Sequence, residues 1–102
     1  MRFTWDVSKN NLNVRRRGLA FRDAVRIFEG PTMEKEDDRF DYGEIRIYAI
    51  GLVDGVEILV DGVEITVIYT ERDNDERHII SAWRSAPHER RAFWQEIEAQ
   101  TS

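Results

Sequence analysis

Ile45-Arg46-Ile47-Tyr48-Ala49-Ile50-Gly51-Leu52-Val53, then Glu64-Ile65-Thr66-Val67-Ile68-Tyr69-Thr70, then His78-Ile79-Ile80-Ser81-Ala82-Trp83 are three runs dominated by Ile, Val and aromatic residues. Side chains of this kind fit a pleated, half-buried surface better than a helix. A further short run, Val56–Val60, lies between Asp54-Gly55 and Asp61-Gly62, two pairs that favour tight hairpin turns. Together these stretches predict an antiparallel β-meander, and the meander decides the fold class.

Working outward, Arg2 to Asp6 alternates Phe3 and Trp5 with polar neighbours, the period of a short half-buried strand. Val7–Arg17 is polar, ends in Arg15-Arg16-Arg17 and stops at Gly18, as expected of a helix with cations in its last turn and Gly at C′. Asp6 or Ser8 is its expected cap. Phe21, Ala24, Val25 and Phe28 form one apolar stripe of a second helix, which Gly30-Pro31 ends. Thr32–Gly43, with Glu34-Lys35-Glu36-Asp37-Asp38, reads as a solvated acidic loop. At the far end Ser85 can cap, and Pro87 can start, a last helix with Phe93 and Ile97 on one face. The expected architecture is one α+β domain over residues 1–102: an N-terminal strand and two helices, the meander, and a C-terminal helix.

Val53-Asp54-Gly55-Val56-Glu57-Ile58-Leu59 is followed at once by Val60-Asp61-Gly62-Val63-Glu64-Ile65-Thr66, a near-perfect tandem heptad. Each copy carries its own turn, so the hairpin register is degenerate there. An insertion at a hairpin tip, which loop tips tolerate, accounts for it without any functional role.

The 102 residues are enough for one modest core. Cysteine is absent, which excludes disulfides, thiolate metal sites and a Cys nucleophile. No signal-peptide core or run near the roughly 18 apolar residues of a membrane span is present, so the expected compartment is the cytoplasm. The net charge of −5 is unevenly spread: residues 1–28 carry seven basic and two acidic side chains, 29–76 four and fifteen, and 77–102 four and three. Such a chain can offer one face to phosphates and another to a basic partner, although solvated helix faces explain the same pattern.

With only His78 and His88, and no H-E-x-x-H or EF-hand spacing, no metal or other cofactor is expected, and there is no Gly-rich phosphate loop. What remains is arginine-rich: Arg15, Arg16, Arg17, Arg46, Arg72, Arg77, Arg84, Arg90 and Arg91. The guanidinium fork gives bidentate bonds to phosphate and keeps its charge. RNA cleavage without a metal needs a base for the 2′-hydroxyl proton, cations for the phosphorane and an acid for the leaving 5′-oxygen. His78 or His88 with Arg46, Arg77 and Arg84 can supply those parts. Surface arginines more often only solubilise, and a lone His is more often inert.

Three sets of motifs alter that balance. The first is Phe3-x-Trp5-Asp6-x-x-Lys9-x-x-x-Asn13, with Arg16-Arg17-Gly18-Leu19-x-Phe21 and Ala24-x-x-x-Phe28-Glu29-Gly30-Pro31. The second is Asp37-Asp38-Arg39-x-Asp41-Tyr42-Gly43-Glu44-x-Arg46, leading to Ala49-Ile50-Gly51. The third is Val67-x-Tyr69-Thr70-x-Arg72, then His78-Ile79-Ile80-Ser81-Ala82-Trp83-Arg84 and Glu89-Arg90. In this order, over nearly the whole chain, they resemble the BrnT family of bacterial type II toxins.

The resemblance implies a RelE-like or barnase-like fold and a ribonuclease that arrests growth by degrading RNA. It also implies a BrnA-type ribbon-helix-helix antitoxin, through which alone the toxin meets promoter DNA, with a homodimer within that complex left open. Arg17 stands where the family often has His in Lys-His-Gly, and His78 where Arg often precedes Ile-Ile-Ser. The expected site is Arg46, Arg72, His78 and Arg84, with Arg77 and His88 as the next candidates. Competing with a nuclease are a silent module that docks an antitoxin-like protein on DNA, and a toxin disabled by the repeated heptad.

Overall fold

The structure, a computed structural model, describes residues 1–54, 62–73 and 75–101. Its elements run β1 (Arg2–Trp5), α1 (Val7–Arg17), α2 (Phe21–Ala24) continued by a 3-10 segment (Val25–Glu29), β2 (Thr32–Glu36), β3 (Ile47–Val53), β4 (Val63–Arg72), β5 (Glu76–Arg84) and α3 (Pro87–Thr101). The strands form one sheet in the order β1-β5-β4-β3-β2. β1 lies parallel to β5, and every other neighbouring pair is antiparallel. The α+β architecture with its meander and flanking helices is therefore as the sequence predicts. Val56–Val60, and with it half of the tandem repeat (residues 55–61 of 53–66), lies outside the described residues.

Two expectations change. Thr32–Glu36 is not loop but the edge strand β2, paired residue for residue with Gly51 to Ile47. Its Glu34, Lys35 and Glu36 are exposed, and charge on an edge strand blocks further pairing, so the polarity that suggests a loop is equally that of a protected edge. Ser85 does not cap α3: its hydroxyl pairs with Thr66 Oγ1 at 2.7 Å inside the core. Glu89 takes that role, accepting from the Ala86 N–H at 2.7 Å as the third helical residue of a capping box does.

The N-terminal helices hold to their signals. Asp6 caps α1, accepting from Ser8 and Lys9 N–H, and Gly18 ends it at φ 66°. After α2 the chain tightens to 3-10 geometry, and the period of three puts Phe21, Ala24 and Ile27 inside instead of Phe28. These residues pack with Ala49, Val67, Tyr69, Ile79 and Ala82 on one face of the sheet. Gly51 sits beneath the 3-10 segment, where a Cβ would lie 2.7 Å from Ile27 Cβ. α3 packs on the other face chiefly at the β2–β3 end, with Phe93 buried, and leaves over β4–β5 an open groove lined by Ile68, Ser81 and Trp83.

A bulge sets which side chains reach the open face. Ile68 pairs with Ser81 and Tyr69 with Ile79, leaving Ile80 as the extra residue of β5. Ile79 can thus point into the core while His78, Ser81 and Trp83 all belong to the opposite face.

Candidate functional site

β1 stops at Trp5, opposite Ile79, so residues 80–84 form a free edge of β5. The last residue of α1 closes it. Arg17 Nη1 donates to the Ala82 carbonyl at 3.0 Å, to Ser81 Oγ at 3.1 Å and to Asn13 Oδ1 at 3.3 Å. Its guanidinium carbon then lies 5.5 Å from the centre of the Trp83 ring. Asn13 is held in turn by the Leu19 carbonyl at 2.8 Å.

From the other side comes the segment between β2 and β3. Asp37 is 6% exposed. It accepts from Arg39 Nε at 2.7 Å and Nη2 at 3.0 Å, and from the Tyr42 hydroxyl at 3.2 Å. The hydrogen bonds from Arg39 hold the Asp37 carboxyl below its ordinary pKa, against the opposing effect of burial. Arg46 lies 4.0 Å over the Tyr42 ring. Arg17, Arg39 and Arg46 thereby line one open groove of about 450 Å³ with Tyr42, Trp83 and Ser81, floored by Ile68. A wider cavity of about 670 Å³ adjoins it, sharing Asp37, Arg39 and Trp83 and adding Lys35, Tyr48 and His88.

Behind the groove, Glu89 fixes the Trp83 plane. This carboxylate, 4% exposed, accepts from Trp83 Nε1 at 3.0 Å and from the Tyr48 hydroxyl. Burial works to raise its pKa, but the bonds from Tyr48, Ala86 and Trp83 outweigh it and hold the group ionised.

The predicted site residues divide. Arg46 lines the groove. His78 and Arg72 belong to the same face of the sheet, since Thr70 pairs with His78 and Arg72 with Glu76 two residues along. Thr70, across from His78, donates to the Ile45 carbonyl at 2.8 Å, which ties the Arg46 segment to β4. Burial and then Arg72 lower the His78 pKa, with Glu76 opposing. His88 lines the adjoining cavity at the start of α3.

Arg77 and Arg84 are elsewhere. Arg77 projects to the helix-covered face, 4.6 Å from the Phe28 ring and 4.7 Å from that of Tyr69, with its Nε buried and without a hydrogen bond. Arg84 donates to the Arg17 carbonyl at 2.8 Å and so secures the end of α1 from behind. Conversely, Arg17, Arg39, Tyr42 and Trp83 line the groove although they are not among the site residues that the sequence predicts. Arg39 and Tyr42 stand in the acidic stretch that reads as solvated, and only their spacing from Asp37, two and five residues on, hints at a local ion-pair knot. Among the described residues no group of three or more His, Asp or Glu side chains is arranged to hold a metal, and no helix is long and apolar enough to cross a membrane.

A family model described as the ribonuclease toxin BrnT of type II toxin–antitoxin systems matches residues 5–89. A comparison with curated proteins finds no match. Among solved structures, the 1.1 Å crystal structure of the Brucella abortus ribonuclease toxin BrnT is similar in fold, with a TM-score of 0.59 at 24% identity over 84% of this chain and 97% of that one. The family match runs from the end of β1 into the first turn of α3, taking in every residue of the arginine groove, and on it this chain belongs to the BrnT family of type II ribonuclease toxins.

Proposed function

We propose that this protein is a metal-independent endoribonuclease that binds single-stranded RNA across the open face of the sheet. The observation that carries the reading is the convergence of Arg17, from the end of α1, with Arg39 and Arg46, from the segment between β2 and β3, on one groove that also presents Tyr42 and Trp83. Cationic forks beside aromatic planes suit a phosphodiester with its flanking bases. Arg46 and Arg17 would hold the scissile phosphate and stabilise the phosphorane, with Arg72 adding positive potential from the same face. His78 would take the 2′-hydroxyl proton. The O2′–P bond then forms as the P–O5′ bond breaks, leaving a 2′,3′-cyclic phosphate, and the departing 5′-oxygen takes a proton from solvent. Arg77 and Arg84 would serve the scaffold.

In the cell this activity would arrest growth in the cytoplasm until a BrnA-like ribbon-helix-helix antitoxin covers the toxin; DNA would be met only through that complex. Purified protein should cleave RNA in the presence of EDTA, and induced expression should stop growth unless the antitoxin is co-expressed. Intact RNA and normal growth from folded protein would favour the silent docking module instead. The spread of the six predicted residues over both faces is the one feature on that module's side.

A further inference from the structure

The His78 imidazole has one hydrogen-bond partner among the described residues, and that partner is itself committed. β1 and β5 run side by side with Thr4 opposite His78 and Arg2 opposite Glu76. Thr4 Oγ1 lies 2.8 Å from Glu76 Oε2 and 2.9 Å from His78 Nδ1. Glu76 also accepts from Arg2 Nη2 at 2.6 Å and has Arg72 Nη1 at 4.0 Å. The bonds from Thr4 and Arg2 hold its pKa below the ordinary carboxylate value. Glu76 is therefore ionised at neutral pH, and an ionised carboxylate only accepts.

A threonine hydroxyl has a single proton. Glu76 takes it, so the hydroxyl can offer the imidazole only a lone pair, and the matching group on the ring is an Nδ1–H. We infer that Thr4 and Glu76 are positioning residues that hold neutral His78 as the Nδ1–H tautomer, leaving the lone pair on Nε2 to act as the base. An unconstrained histidine favours the other tautomer, so the relay reverses a default; which ring nitrogen carries the proton is set by the bond the other makes. The charges that face the ring are Arg72 on β4, Glu76 on β5, Lys9 on α1 and Glu44 before β3. Burial and Arg72 act together to keep the ring neutral, as a base must be before it reacts. The assignment of Nε2 as base rests on the ribonuclease reading; the tautomer does not.

The test is a long-range proton–nitrogen correlation on the 15N-labelled full chain at about pH 8, where an ordinary imidazole is neutral. His78→Asn assigns the signals, since the chain has only two histidines. The expected pattern is a protonated, pyrrole-like Nδ1 and a pyridine-like Nε2. A protonated Nε2 in the wild type overturns the inference without any variant being needed. Thr4→Val should shift the ring toward Nε2–H and lower kcat for RNA cleavage roughly 10- to 100-fold at unchanged KM. Thr4→Ser, which keeps the hydroxyl, should restore both. A folded Thr4→Val protein with an unmoved tautomer overturns the relay. Should the wild type cleave no RNA, the ribonuclease reading fails, and the nitrogen shifts still decide the tautomer.

Discussion

At the scale of single residues, the question is which arginines are free to meet a ligand. Among the described residues the Arg46 side chain bonds Glu44, at 3.4 Å, and otherwise rests on Tyr42, so its truncation leaves none of them buried without a partner. Arg46→Ala should lower RNA cleavage by about 100-fold or more, the usual loss for one oxyanion-stabilising group, while Tm stays within a degree or two of wild type. Wild-type turnover in a folded Arg46→Ala protein would remove the groove from the mechanism. Arg77 is the opposite case, with a side chain 16% exposed between two rings. Arg77→Ala should cost about 1–3 kcal/mol in denaturant unfolding through lost packing and cation–π contact, and should leave kcat of the folded fraction unchanged. Sequence could not separate the two, because composition gives both the same side chain. Alternation along β5 sends Arg77 and His78 to opposite faces, and the one-residue bulge at Ile80, which residue type does not reveal, puts Ser81 and Trp83 on the face of His78.

At the scale of elements, the long apolar strands and α1 with its cap and stop were legible because their signals are local: alternation, Asp6, Gly18. β2 was not, since a charged edge strand is recognised only by the neighbour it pairs with, and the 3-10 segment shifted the buried stripe from Phe28 to Ile27. Packing between elements makes the sharper tests. A Cβ on Gly51 would press on Ile27 Cβ at 2.7 Å and on the Ile27 backbone oxygen at 3.2 Å, so the 3-10 segment would have to lift from β3. Gly51→Ala is expected to destabilise by about 1–3 kcal/mol, read from the denaturant midpoint; an unchanged midpoint would mean that this contact relaxes freely. On the other face Glu89 joins α3 to β3 and β5 through Tyr48 and Trp83. Glu89→Ala leaves three donors without their acceptor and should lower stability by about 2–4 kcal/mol. It should also loosen the Trp83 ring under Arg17, seen as a red-shifted or less anisotropic tryptophan emission.

Over the whole molecule, the charge partition read along the chain is not the partition in space: Arg17 from the basic third and Arg39 and Arg46 from the acidic stretch meet at one groove. What the fold does with its charges shows most clearly in how stability must vary with pH. His78 has a folded pKa below its ordinary value, so the folded state holds fewer protons than the unfolded one between the two values. Stability contributed there is present above the unfolded pKa of about 6.5 and is lost as pH falls toward the folded value. Asp6, Asp37, Glu76 and Glu89 are all depressed as well, chiefly by hydrogen bonds, from Ser8 to Asp6, from Arg39 to Asp37, from Thr4 to Glu76 and, against burial, from Tyr48 to Glu89. Their contribution is complete above the unfolded carboxylate range near 4 and disappears below it. Tyr48 and Tyr69 behave with opposite sign. Burial and then the carboxylates they donate to, Glu89 and Glu34, raise their pKa values, so the unfolded state loses its phenolic protons first. Stability must then fall as pH rises through about 10. Tm should therefore be flat between about pH 7 and 9, decline gently on the acid side as His78 takes up its proton, and drop steeply below about pH 4. Replacing His78 by Asn should abolish the gentle decline and leave the steep one; a decline that persists in that variant would assign it to another group.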